Sequence, residues 1–386
     1  MPLYLATKEM LRNKARFLAV VLIVALITLL VLFTAAFGDG LALAGKQYLE
    51  NIDAQLILFQ EDVDISIPAS QLNRAKLNNV KRVEGVEDVG PIGFAVASIV
   101  LGDGETEDKI DVSLIGVEPG KPGAPIVFDG VELRSRRANE VILGQNVLDK
   151  ADIPIGSYID LKVTQGGEEE IYSLKVIGHT KGQQYFFLPS VFVPLLTWDR
   201  IMSEFNPDVS ESDLGFNIAA VKLKNPDTWP EMIETIERNV NGVELTDPVT
   251  TYQATQGFSD MQAVIDAQQR FVLLIVMLVI GSFFQIQTLQ KVAQIGMLKA
   301  IGASNWLIAA TLLVQVMLTT VIGVAVGGLA CSVIASMLPP GIPATFDGQK
   351  VVIAVIMLLV SGPLTGLVSL RTLLKVEPLT ALGLGA

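Results

Sequence analysis

His179 is the one histidine in this sequence and Cys331 the one cysteine. Zinc needs several His, Cys or carboxylate ligands at close spacing, so a zinc site is excluded. A serine nucleophile would have to recruit His179, and no G-x-S-x-G accompanies it. His179 therefore reads as a structural residue at a strand end. The acidic runs EDVD (Glu61 to Asp64) and DGETED (Asp103 to Asp108) lack the loop pattern that fixes calcium ligands, and read as solvated acids. GVEPGKP (Gly116 to Pro122) approaches the phosphate loop GxxxxGK[ST], but it is one residue short and has proline where the hydroxyl belongs. These residues support no catalytic, metal or cofactor site.

The remaining chemistry is that of contact. In KVAQIGMLKAIGAS, Val292, Ile295, Leu298 and Ile301 recur every three residues, and Met297 lies four before Ile301. That spacing puts them on one face of a short helix edged by Lys291 and Lys299. Gly302 suits its C-terminal cap, and Ser304 the N-cap of the helix that follows. Two uses stay open on periodicity alone: docking to a cytoplasmic partner, or lying on lipid headgroups.

The elements that hold this segment are strongly apolar. The chain is 51% hydrophobic, and the excess is concentrated. Residues 17–37 run 21 positions without a charge, about the thickness of a bilayer core. AlaLeuAla at 42–44 resembles a signal cleavage site, but the run is too long for a secretory core and reads as an uncleaved anchor. Three more apolar stretches, 267–289, 306–338 and 351–370, complete four expected transmembrane helices. Lys8, Arg12, Lys14 and Arg16 precede the first, Lys291 and Lys299 separate the second from the third, and Arg371 and Lys375 follow the fourth. Basic residues at span ends mark the cytoplasmic side. The N-terminal segment 1–16, the connection 290–305 and the C-terminus 371–386 are thus expected inside a cell membrane. Residues 38–266 and the short loop 339–350 are expected outside.

Residues 38–266 carry 37 acidic and 18 basic side chains, a domain that bulk charge directs neither to nucleic acid nor to anionic lipid. A strand is expected at Ala54 to Gln60, and a helix from Ser70 to Val83 with Ser70 as cap. Strands follow in FAVASIVLG and KIDVSLIGVEP, and a second strand, helix and strand are expected over Asn217 to Asp247. Between them lies a β-rich lobe at about 132–213, whose apolar run Tyr185 to Leu196 is either buried strand or a surface for lipid-like cargo. Strand–helix–strand on both sides of that lobe is a weak repeat. Gly257 to Arg270 is expected to be helical and to run into the second span. The fold class expected is an α-helical membrane protein with four transmembrane helices. A large two-lobed α+β extracytoplasmic domain is inserted between helices 1 and 2.

Apart from Arg270 near the start of the second, the spans hold no Asp, Glu, Lys or Arg, which argues against coupling to an ion gradient. Gln315 is the deepest large polar group and suits an interhelical hydrogen bond. Gly323 and Gly327 have the spacing that lets helices approach closely, within the bundle or at a dimer seam.

QIGMLKAIGA, from Gln294 through Ile295, Gly296, Met297, Leu298, Lys299, Ala300, Ile301 and Gly302 to Ala303, resembles the E-I-G-x-L-[RK]-A-[IL]-G-A signature of the FtsX-like permeases. The likeness is to the MacB type of ABC transporter and covers essentially the whole chain. MLRNKARF before the first span, the Gly-rich end of the third, and LLKVEPLTAL at Leu373 to Leu382 resemble the same family. So does EVILGQNVLDKADIPIGSYIDLKV in the outer domain, as in the MacB-like periplasmic core. DevC-type exporters have a similar layout.

The resemblance implies that Gln294 to Ala303 is a coupling helix contacting a separate ABC ATPase subunit, which would hold the ATP and magnesium. This chain would have no cofactor and would not be an enzyme. It implies a second permease chain, identical or paralogous, an adaptor (membrane fusion) protein as a further partner, and mechanotransmission that exports or extracts a hydrophobic, lipid-like or peptide cargo. The alternative is an FtsX-like scaffold relaying ATPase state to an external cell-wall hydrolase. Gln294 and Gln315 both stand where the family usually has Glu. At Gln294 that exchanges an ion pair for a hydrogen bond, a modest change at a wet interface.

Overall fold

The computed structural model describes all residues except 1, 13, 102–107, 166–167, 182, 186, 203–214, 256, 291–296, 298–301, 303, 339–343, 347 and 375–386. The chain divides into two compact units. One comprises residues 1–40, 263–339 and 343–386; the other comprises 41–262 with 340–342.

The first unit is helical. After α1 (Pro2–Arg12), α2 runs unbroken from Lys14 to Glu50 and ends in the second unit. At 1.5 Å per residue its 37 residues extend about 55 Å, well beyond a bilayer core of about 30 Å.

The second unit begins with β1 (Leu56–Gln60), β2 (Leu72–Asn73), α3 (Arg74–Lys81), β3 (Val86–Leu101) and β4 (Asp108–Val117). It continues through β5 (Val127–Gly130), β6 (Glu140–Gly144), α4 (Gln145–Leu148), β7 (Tyr158–Gln165), β8 (Glu168–Thr180), β9 (Ser190–Pro194) and α5 (Leu195–Met202). Then come β10 (Gly215–Phe216), β11 (Ile218–Leu223), α6 (Trp229–Asn239), β12 (Val243–Thr246) and α7 (Pro248–Ala254). The chain re-enters the helical unit along α8 (Phe258–Leu289), followed by α9 (Asn305–Ser336) and α10 (Gly348–Leu374).

The weak strand–helix–strand repeat resolves into a known topology. β1–α3–β3 and β11–α6–β12 interleave in the order β12-β1-β11-β3, all antiparallel, the split βαβ arrangement of ferredoxin-like folds. The β-rich segment is inserted between the two halves. The two lobes expected are not separate, because β3 is long enough to serve both. Its start pairs with β11 and its far end with β7, while β4 runs alongside from Ile92 to Leu101 and passes the sheet on to β9, β6, β8 and β5.

Both faces of this sheet are covered. Leu56 and Leu58 of β1 join Leu114 and Val193 in one core, while Ile57 and Phe59 join Ile115 and Phe192 in the other. That is the period-2 alternation of a sheet buried on both sides. β9 is buried along its whole length, so Ser190–Pro194 within the apolar run is core and not a cargo surface.

The helix expected from Ser70 starts later. The Ser70 hydroxyl is taken by the N–H of Gln60 at 2.9 Å, and Leu72–Asn73 pair with Gly215–Phe216 as a short strand. Asn73 is the cap instead, its Oδ1 accepting from the N–H of Lys76 at 3.0 Å.

Asp88 joins three segments of this unit. It accepts from Lys81 at the end of α3 (2.9 Å) and from Lys121 in the loop after β4 (2.9 Å). Burial pushes its carboxyl up, but the bonds from Lys121, Lys81 and the N–H of Val89 outweigh that and hold it below the ordinary aspartate value. A depressed folded-state carboxyl contributes stability above its unfolded value and loses it as pH falls through the folded one. Outer-domain stability is therefore expected to drop on acidification below the ordinary aspartate range, and Asp88→Asn to flatten that slope. Denaturation midpoints followed by tryptophan fluorescence across that range check this.

Candidate functional site

The segment expected to dock a partner lies mostly outside the described residues: of Gln294 to Ala303, the structure describes Met297 and Gly302. Met297 is 56% exposed. Gly302 has φ +94°, a left-handed conformation that glycine adopts without a Cβ penalty. Ser304 caps α9 as expected, its Oγ accepting from the N–H of Leu307 at 3.2 Å. The terminal stretch after Leu374 also falls outside the described residues.

Above that segment the helices of the first unit pack through small residues. Gly323 and Gly327 of α9 both face α2 of the same chain. A Cβ at Gly323 would lie 2.5 Å from Val24 Cγ1, and one at Gly327 would lie 2.4 Å from the Ala25 carbonyl oxygen. Val20, Val24 and Val31 of α2 meet Val316 and Val324 of α9, Val276 of α8 and Leu358 of α10 in one cluster. Thr28 is fully buried beside it and donates its hydroxyl to the Val24 carbonyl at 2.8 Å. Gln315 is buried, and its backbone carbonyl accepts the Thr319 hydroxyl.

At the other end of the unit, Lys350 pairs with Asp39, which is 11% exposed, and the N–H of Thr345 donates to the Ala36 carbonyl at 3.0 Å. Among the described residues, three helices are apolar and long enough to cross a membrane: Phe17–Glu50, Phe258–Val279 and Trp306–Ser336. The described apolar part of α10, Gly348–Ser361, is shorter.

The last turns of α2 belong to the second unit, where the sequence suggests a helix leaving the first span and running into the strand at Ala54 to Gln60. Leu41, Ala44 and Tyr48 are spaced as one helix face, a signal that the helix would be buried there. Tyr48 is 1% exposed and surrounded by Phe94, Tyr185 and Phe192, with ring centroids 5.9, 6.5 and 5.5 Å away. Its Oη donates to the Gly123 carbonyl at 2.8 Å and its N–H to the Gln184 carbonyl at 2.9 Å. The Ala44 carbonyl accepts from the N–H of Phe187 at 3.2 Å. The helix end is thus locked to two loops of the outer domain by aromatic packing and hydrogen bonds.

His179 is buried in β8, 3.9 Å from Asp129, and its Nε2 has no hydrogen-bond partner among the described residues. No group of three or more metal-ligating side chains occurs among the described residues.

Two family models match this chain. The MacB-like periplasmic core domain matches residues 17–239, and the FtsX-like permease C-terminal model matches 271–378. The chain belongs to the MacB-type FtsX-like permeases. As such it is an ABC transporter permease with membrane-spanning helices and an extracellular α+β domain.

This FtsX-like permease is 23% identical over 384 residues to a putative hemin transport system permease protein HrtB of Staphylococcus epidermidis, covering 99% of both chains. It is 25% identical over 379 residues to a HrtB of Staphylococcus haemolyticus, covering 98% of this chain and 99% of that one. Among solved structures it is similar to the extracellular domain of the ABC-type transporter YknZ from Gram-positive bacteria, with 16% identity and a TM-score of 0.36, over 50% of this chain and 100% of that one. It is also similar to the periplasmic region of MacB from Actinobacillus actinomycetemcomitans, with 13% identity and a TM-score of 0.35, over 53% of this chain and 94% of that one.

Proposed function

We propose that this chain is the membrane half of a mechanotransmission transporter. It has four spans, with both termini and residues 290–305 in the cytoplasm and the outer domain inserted between the first two spans. A separate ABC ATPase binds the coupling helix Gln294 to Ala303 and holds the ATP and magnesium. A second permease chain, identical or paralogous, completes the assembly, and an adaptor protein extends the route outward. Closure of the ATPases draws the coupling helices together, and the outer domains expel or extract a hydrophobic, lipid-like or peptide cargo. The hemin in the names of the staphylococcal relatives has a planar hydrophobic macrocycle, with two carboxylates at one edge, and falls within that class.

The observation that carries this reading is the unbroken α2. A helix continuing from Lys14 to the Tyr48 contacts can transmit displacement along its axis, because its own hydrogen bonds make it stiff. Ion-gradient coupling gains no support from the spans, which apart from Arg270 near the start of the second hold no ionisable side chain but Cys331.

The test is affinity purification of the chain in mild detergent, followed by mass spectrometry, beside a variant carrying Ile295→Asp and Leu298→Asp. An ABC ATPase is expected to accompany the parent and to be lost from the variant, because two buried carboxylates at a docking face are strongly unfavourable. Absence of an ATPase from the intact parent would sink the proposal. Equal recovery with both chains would move the docking site elsewhere.

A further inference from the structure

The extracellular domain contains a cleft of about 450 Å³ that the transport reading does not use. Its size is within the range of small-ligand pockets. Its walls come from β3, β11, Asp53 in the turn between α2 and β1, and the loop Pro119 to Pro125, and its floor from the buried Ile142 and Leu133. Ile126 stands at the rim, 70% exposed.

Hydrogen-bonding capacity in this cleft is lopsided. The loop PGKPGAP has seven carbonyls but only four N–H groups, because prolines 119, 122 and 125 have none. Two of those four are consumed within the turn, Lys121 donating to Glu118 and Ala124 to Lys121. Two of the seven carbonyls are taken, that of Lys121 by Ala124 and that of Gly123 by Tyr48 Oη, which leaves five carbonyls against two N–H groups. Four carboxylates line the cleft, those of Asp53, Glu87, Asp88 and Glu132. Its two ammonium groups are already engaged: Lys121 with Asp88 at 2.9 Å, and Lys222 with Asp53 at 2.7 Å. Glu87 reaches Lys222 only at 4.0 Å, and Glu132 has no ion-pair partner among the described residues. The surface is thus rich in acceptors and negative charge, poor in free donors, and apolar at its base.

We infer that this cleft binds a cationic amphiphile, a guanidinium or ammonium group on an apolar stem. The charged end is held between Glu87 and Glu132 and the loop carbonyls, and the stem lies on Ile126 and the exposed edge of Leu133. Charge-assisted bonds of this kind are the strong ones, and a cation supplies the donors the cleft lacks. An anionic amphiphile meets four carboxylates and is rejected. The roof of the cleft includes Gly123, whose carbonyl accepts from Tyr48 Oη, so an occupant would sit against the loop that holds the end of α2. The inference stands on the cleft and does not need the ATPase.

Binding is tested on the full chain in nanodiscs of zwitterionic lipid, by calorimetry. The probes are a capped leucine–arginine–leucine tripeptide, its citrulline and glutamate counterparts, and 4-phenylbutylamine as a non-peptide cation. Saturable binding of the arginine peptide is expected, with the citrulline peptide at least about tenfold weaker and the glutamate peptide silent. If phenylbutylamine also binds, a cation on a stem suffices; if only the peptide does, the loop carbonyls also read a peptide backbone, and both outcomes support the inference. The double variant Glu87→Gln, Glu132→Gln alters two exposed side chains, and is expected to keep the parent's melting temperature while weakening the arginine peptide about tenfold. No saturable binding of either cation, equal binding of the citrulline peptide, or undiminished binding to the double variant would overturn it.

Discussion

Gly327→Leu is expected to abolish recovery of a stable, monodisperse permease, while Gly328→Leu leaves it intact. At Gly327 a side chain would start 2.4 Å from the Ala25 carbonyl oxygen and 2.7 Å from Thr28 Cβ. The first obstacle is backbone and cannot rotate away. At Gly323 the nearest atoms belong to the Val24 side chain, at 2.5 and 2.6 Å, so the same change there should be somewhat milder. At Gly328 a Cβ meets nothing within 4 Å. Overpacking costs roughly 1–3 kcal/mol where side chains can adjust, and about 3 kcal/mol or more is expected here because whole helices must separate. Nothing offsets that loss, since lipid is as apolar as the helix interface and two helices gain little by burying leucine. Size-exclusion profiles and thermal aggregation of the three variants in detergent decide the matter. Equal behaviour of the variants at 327 and 328 would mean that α9 does not pack on α2 through this face.

The spacing of these two glycines was visible in the sequence, but the helix they face was not. A small-xxx-small pattern states that something approaches closely and is silent on what does. The same division runs through the molecule. Long uncharged stretches identify helices because length and charge are local properties, and α2, α8, α9 and α10 lie where those stretches lie. The continuous apolar run LILF marks β1 as a strand covered on both faces. The helix start was misplaced by a few residues because Ser70 and Asn73 are both good caps. Which one serves depends on Gln60, whose N–H occupies Ser70 from a strand ten residues away.

The joining of the two lobes was likewise hidden. It rests on β3 being 16 residues long and pairing with different partners at its two ends, and strand order is not encoded in any one strand. For the site, family resemblance implies a coupling role for Gln294 to Ala303, and periodicity alone left that segment between a docking surface and lipid. Gly116 to Pro122 showed in the sequence only as a failed phosphate loop, because the other walls of the cleft come from β3, β11 and the turn after α2.

Tyr48→Ala is expected to uncouple the outer domain while leaving ATPase binding untouched. The ring fills a pocket of three aromatics, and its hydroxyl satisfies a carbonyl 75 positions away in sequence. Emptying that pocket costs about 3–5 kcal/mol at the junction. Tyr48→Phe keeps the packing, removes one hydrogen bond and costs about 1–3 kcal/mol, since the Gly123 carbonyl loses its donor. Under the proposed mechanism the force along α2 enters the outer domain here, so the two variants should differ in transmission more than in ATP turnover. A spin label at Tyr158→Cys reports the distance between the outer domains of two permease chains. That site is 69% exposed, and the native Cys331 at 1% exposure leaves little background. The parent is expected to show a nucleotide-dependent change in that distance, Tyr48→Phe to keep most of it, and Tyr48→Ala to lose it at an unchanged ATPase rate. If Tyr48→Ala destroys the fold, Tyr48→Phe carries the test through a broadened distance distribution. A full shift with an undiminished amplitude in Tyr48→Ala would show that displacement reaches the outer domain by another path, and α8 is the remaining helix that continues from one unit into the other.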